Sequence, residues 1–259
     1  MDQFLVSFAK IFPEINLALG TGIMIFARMI GLFRFAPIFN SKLIPAIAKI
    51  PLALILTVIC TMVIKPAPIP AGTSIILCVC LNFAVGAIIG YIVNCIIAAI
   101  SAGGDIINVQ MGLSSAMVLD PTSKTQTSVV GNYFTYLGFI IFMQVGGLYW
   151  VIEAFIRSFK IFPMYAVAIP LEAIINMDYL IQITSNVLFM GMQIGGPVLL
   201  ATLGQDIILG IISKTAPQVN VFQLSFLFKP ILGALIMIWI LPMLVNVINE
   251  YITSYAQIF

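Results

Sequence analysis

Hydrophobic and polar positions fall in long blocks along this chain, not at the short periods of soluble helices and strands. No charged residue occurs in 66–104, 125–152, 179–205 or 230–249. A hydrocarbon layer about 30 Å thick is crossed by about 20 helical residues, so each block is long enough to span a bilayer. Two further apolar runs each contain one cation, Arg28 and Lys49. The pattern predicts six hydrophobic helices, at about 15–33, 44–64, 74–100, 129–152, 180–203 and 227–249. KPAPIPAG (65–72) separates the second from the third, because its prolines remove backbone donors and clash with a preceding turn.

These blocks hold more small and polar residues than a purely lipid-facing bundle would carry. The third has Asn82, Gly86, Gly90, Asn94, Ala98 and Ala102 at steps of four, a slowly drifting stripe that lets another backbone come close. Gln193, Gly195, Gly196 and Pro197 predict a kink or opening in the fifth, and the sixth has Pro242, then Asn246 and Asn249. Taken singly, each is explained by ordinary helix packing. Together they are polar groups in hydrocarbon, which need partners or a water-filled cavity. Much of this surface is therefore expected to pack on protein, including other subunits. Arg28 is expected to pair with a partner subunit or to snorkel towards the Arg34 end, and Asp206 to cap or orient the next helix.

Composition agrees with the pattern: 62% of residues are hydrophobic and 8% charged. Soluble domains carry about 25% charged residues, so this chain cannot cover a water-facing surface. A net charge of +2 without a Lys/Arg cluster gives no sign of nucleic acid as a partner. Over six spans, Arg34, Lys42, Lys49, Lys124, Lys214 and Lys229 share one side; Lys10, Lys65, Arg157 and Lys160 share the other. That excess puts the first set in the cytoplasm and both termini outside. The first apolar segment opens with Asp2, lacks a basic cluster and is expected to be retained. Cys60, Cys78, Cys80 and Cys95 sit in apolar runs without a C-x-x-C pair and read as packing residues.

The chain has no histidine, which removes Ser-His-Asp, Cys-His and H-E-x-x-H chemistry. GIISKT (210–215) lacks the glycine that a phosphate loop places before its lysine. AGGD (102–105) approaches the G-x-G-D of intramembrane aspartyl proteases, but its first glycine is Ala102 and only Asp206 could serve as a second acid. No cofactor is implied. A secondary transporter with broken helices is a further alternative, and it would want internal repeats that are not seen here.

The segment AGGDIINVQMGLSSAMVLDPTSKTQTS (102–128) is too polar for a lipid-facing helix and too apolar for a loop in water. Gly103 and Gly104 are expected to end the long helix, and Asp120-Pro121 to start the next element. Residues 105–119 then form an irregular or short helical insert, which fits only inside an assembly or against a lumen. Met111 and Met117 can repack against changing neighbours there, while Gly112 and Ser114-Ser115 keep the segment slim. It is read either as a re-entrant loop docked on the bundle or as a plug that obstructs a conduit at rest. Further on, Ile207, Ile208, Ile211 and Ile212 share a helical face before Ala216-Pro217, the pattern of an interfacial helix and turn.

Three blocks resemble the FliR/SctT-like family of type III export gate proteins, whose flagellar and injectisome branches share the pattern. ARMIGLFRFAPIFNSKLIPAIAKIPLAL (27–54) is similar to the family's first hairpin, with Arg28, Pro37 and Pro45 in place. GGDIINVQMGLSSAMVLDP (103–121) carries the most specific run in Gly104, Ile107, Gln110, Gly112, Asp120 and Pro121. GPVLLATLGQDIILGIISKTAPQVNVF (196–222) matches in Pro197, Gly210, Pro217, Gln218 and Asn220. The resemblance implies an all-α integral membrane protein of kinked hairpins, with a FliP-like part over 1–178 and a FliQ-like hairpin over 179–259. It implies a non-enzymatic gate subunit of the bacterial inner membrane and flagellar basal body, assembled with FliP, FliQ and FlhB-like proteins and passing unfolded flagellar subunits. It places a plug loop at 103–123, with Gly103, Gly104, Asp105, Ile107, Gln110, Met111, Gly112, Met117, Asp120 and Pro121 at the plug or channel. Subunit contacts are then expected at Arg28, Asn82, Gly86, Gly90, Asn94, Gly196, Pro197, Asp206 and Pro217.

Overall fold

A computed structural model describes residues 13–40, 45–66, 68, 74–115, 128–165 and 177–255. Among these the secondary structure is helical, without strands. The elements are α1 (Pro13–Phe35), α2 (Ala46–Val63), α3 (Ile75–Gln110), a 3-10 turn (Leu113–Ser115), α4 (Val129–Gln144), α5 (Gly147–Ile161), α6 (Met177–Thr215) and α7 (Val221–Ser254). Four helices are long and apolar enough to cross a membrane, or five if α4 and α5 count as one bent span. The run 47–63 of α2 is apolar but shorter. The all-α membrane architecture stands, and four of the six expected helices differ in extent, the sixth because α7 starts at its Asn220 cap and runs through Pro242 to Ser254.

Each difference has a local cause. The third helix does not stop at Gly103-Gly104; it continues to Gln110, and the chain leaves it at Gly112, whose φ is +73°. The two glycines serve close packing, not a turn. The window 129–152 is two helices, broken at Val145-Gly146, where Gly146 takes φ +89°. A left-handed glycine just past a helix end is a common stop. The fifth helix neither opens nor ends near Pro197; α6 runs through it to Thr215 and absorbs the segment expected to form a separate interfacial helix. Its 39 residues extend about 58 Å at 1.5 Å each, well beyond the hydrocarbon thickness.

The chain divides into two compact units that do not follow chain order. Unit 1 comprises 1–94 and 148–180 with the last residue, and unit 2 comprises 95–147 and 181–258. In unit 1, α1 packs on α2 and on the first part of α3. A Cβ at Gly86 would collide with the carbonyl of Arg28, and one at Gly31 with the carbonyl of Phe83. At Gly90 it would lie 2.7 Å from the carbonyl oxygen of Leu32. The glycine stripe thus brings α1 and α3 together backbone to backbone within one chain. In unit 2, the second part of α3 lies against α4 and α6. A Cβ at Gly104 would stand 2.8 Å from the α-carbon of Gly131, and one at Gly103 2.6 Å from the Ile194 side chain.

Candidate functional site at the end of the third helix

In unit 2, Gly104, Ile107, Asn108 and Met111 succeed one another at steps of three, one and three, which keeps them on one buried face of α3. Ile107 is fully buried and Met111 nearly so. The Met111 side chain fills the space over Gly233 of α7. Gln110 leaves that face and reaches α6, where its Oε1 accepts from the buried Thr202 hydroxyl at 3.3 Å. Asp105 is exposed, and its carboxylate fills the space a Cβ at Gly131 would need, in the first turn of α4. An acid there is favoured by the helix dipole. Asp206, the second acid weighed for an aspartyl pair, is instead held by Lys229 of α7.

Asn108 is the polar hub of this end, a role the sequence pattern does not reveal. It is 3% exposed. Its Nδ2 donates to Ser114 Oγ at 3.0 Å, and its Oδ1 accepts from the backbone N–H of Val130 at 3.4 Å. One amide thereby ties the end of α3 to the 3-10 turn and to the first turn of α4. The N–H of Val130 is one of the donors a helix start leaves without an intrahelical partner. Ser128 caps the same start by accepting from Gly131 N at 2.8 Å. The one available signal is an asparagine a turn after Gly104 on an otherwise apolar face. Of the expected plug residues, Met117, Asp120 and Pro121 lie outside the described residues.

The residues expected at subunit contacts divide. Arg28 finds its partners inside unit 1 and is fully buried. Its guanidinium donates to Asn82 Oδ1 (3.1 and 2.6 Å), Ser158 Oγ (2.7 Å) and the carbonyl of Phe162 (3.0 Å). It also lies 3.8 Å over the Phe159 ring. Asn82 turns its Nδ2 to the carbonyls of Cys78 and Met164, both at 2.8 Å. The space beside Gly86 and Gly90 is taken by α1, and Asn94 is half-buried. Gly196 has open space where a Cβ would sit, and Pro197 is half-buried beside it. Asp206 caps no helix start: it lies inside α6 and pairs with Lys229 of α7 at 2.8 Å. Pro217 stands in the turn between α6 and α7, and Asn220 caps α7 by accepting from Gln223 N.

Much apolar surface stays uncovered on α7, where Trp239 is 83% exposed and Leu235, Ile238 and Met243 are exposed beside it. Cys60, Cys78 and Cys95 are buried as expected of packing residues, while Cys80 is exposed.

A family model described as bacterial export proteins, family 1, matches residues 19–255. The flagellar biosynthetic protein FliR of Bacillus subtilis (strain 168) is 28% identical over 209 residues, covering 80% of each chain. FliR of Escherichia coli K12 is 24% identical over 218 residues, 84% of this chain and 82% of its own. The surface presentation of antigens protein SpaR of Salmonella typhimurium is 25% identical over 233 residues, 89% of this chain and 86% of its own. The match takes in α1 from its second turn, both compact units and all of α7, so this chain belongs to family 1 of the bacterial export proteins.

Proposed function

We propose that the chain is a non-enzymatic, channel-forming component of the flagellar type III export gate in the bacterial inner membrane. Its segment after α3 obstructs the export path at rest. Membership of a bacterial export family over 19–255 carries the reading. The local geometry supports the plug. The helix is fastened up to Met111, the chain turns away at Gly112, and small and apolar residues come next. Such side chains seal by excluding water and leave few hydrogen bonds to break on opening. The exposed apolar faces of α6 and α7 suit contacts with FliP-, FliQ- and FlhB-like neighbours or lipid. On this reading α6 and α7 form the FliQ-like hairpin, and unfolded flagellar subunits are the cargo. SpaR matches at similar identity, so the injectisome counterpart is the second reading.

The test replaces 113–119 by an equal length of Gly and Ser, which leaves the buried Ile107, Asn108 and Met111 in place. Coexpressed with its gate partners, this variant is expected to raise ion leak across the membrane severalfold. Unchanged permeability with assembly intact would refute the plug.

A further inference from the structure

Unit 1 contains a cavity of about 430 Å³ between the end of α2 and the end of α5. Lys65 and Lys160 line it on two sides, and Val63, Ile156, Phe159 and Met164 form apolar walls. Neither lysine has an acidic partner among the described residues. Glu153, the acid of α5, is held at 2.7 Å by Arg157. Behind the Phe159 wall stands Arg28, whose guanidinium lies 3.8 Å from that ring's centroid. Its hydrogen-bond partners, Asn82, Ser158 and the Phe162 carbonyl, are all uncharged. An arginine stays protonated, so its charge is left uncompensated inside the unit. Two lysines therefore line a cavity without an acid, with a buried guanidinium behind one of its walls, and the occupant that complements them is an anion.

The walls say which anion. Ile55, Val58, Ile59, Met62 and Val63 are all more than half exposed on α2. That apolar face leads to the end of the helix, and Lys65 stands two residues after α2 ends at Val63. A cation just beyond an apolar helix sits at headgroup level, with hydrocarbon alongside the helix itself. A free phosphate would use the lysines and leave the apolar walls idle, whereas a phospholipid uses both.

We infer that this cavity binds the phosphodiester headgroup of an anionic phospholipid between Lys65 and Lys160, with an acyl chain laid along the exposed face of α2. The site is separate from the gating segment and does not depend on the plug.

The test titrates the full-length protein in mild detergent with phosphatidylglycerol or phosphatidylcholine and counts retained lipids by native mass spectrometry. The wild type should retain one phosphatidylglycerol about 30-fold more tightly than phosphatidylcholine, equivalent to about 2 kcal/mol from two lysines. The double variant Lys65→Gln/Lys160→Gln should lose that preference. Both lysines are exposed, so folding should be untouched. Lys214→Gln, at an exposed lysine in the last turn of α6, should keep the preference, and millimolar inorganic phosphate should not displace the lipid. The inference is overturned if the double variant keeps the preference, if Lys214→Gln loses it equally through general surface charge, or if inorganic phosphate displaces the lipid as the true ligand.

Discussion

The polar centre of unit 1 is a charge among neutral acceptors, whereas unit 2 holds its helix end with neutral amides and hydroxyls and keeps the Asp206–Lys229 ion pair near the surface. Burying a guanidinium costs several kcal/mol unless its donors are satisfied. Arg28 offsets that cost with four hydrogen bonds and the faces of Phe159 and Phe162. Such a group fixes α1, α3, α5 and the segment after α5 in one geometry. The ties in unit 2, two at Asn108 and one at Gln110, are neutral hydrogen bonds worth about 1 kcal/mol each. The contrast suits a rigid support in one unit. In the other it suits an anchor that holds the end of a helix by neutral groups.

The largest expected effect is therefore at Arg28. Arg28→Ala removes every one of those bonds, leaves the acceptors of Asn82 and Ser158 buried and opens a cavity. The cost is expected at about 3–5 kcal/mol. Arg28→Lys should recover little, because an ammonium cannot reproduce the planar fork. Thermal unfolding in detergent, followed by circular dichroism, measures both. An Arg28→Ala protein that melts with the wild type would remove the distinction between the units.

Asn108→Ala sharpens the comparison from the other side. Two hydrogen bonds are lost, for about 1–2 kcal/mol. The effect should be local: the amide of Val130, which donates to Asn108, should exchange its hydrogen about fivefold faster, while amides around Arg28 keep their protection. Equal acceleration in both units would mean that Asn108 supports the whole fold and is no mere local tie.

Helix existence is legible in the sequence because charge-free windows report directly on what lipid or a packed core tolerates. Helix ends are not, because a glycine reads the same whether it turns the chain or admits a neighbour. Gly103 and Gly104 admit α6 and α4, while Gly112 and Gly146 turn the chain, and only φ separates the two uses. Arg28 is legible as an anomaly, but its partners are not. Ser158 lies 130 residues away in sequence and belongs to α5, a helix that the hydrophobic pattern merges in part with α4. Asn108 escapes notice because a single amide in a polar-looking segment gives no hint of burial. The resemblance locates the segment around it without indicating which of its residues form a hub.

The smallest expected effect concerns Asp206 and Lys229. Their ion pair is short, at 2.8 Å, but the Asp206 side chain is 44% exposed and that of Lys229 21%. Pairs this open to solvent contribute about 0–1 kcal/mol. A double-mutant cycle with Asp206→Asn and Lys229→Gln should give a coupling energy in that range, falling further at high salt because exposed charges are screened. The sequence pattern puts Asp206 at a helix start, where its removal would loosen one helix alone. The observed pairing ties α6 to α7 instead, so both single variants should perturb the same two helices. A coupling well above that range, insensitive to salt, would show the pair to be shielded from water, and unit 2 would then hold a strong electrostatic fastening like that of Arg28.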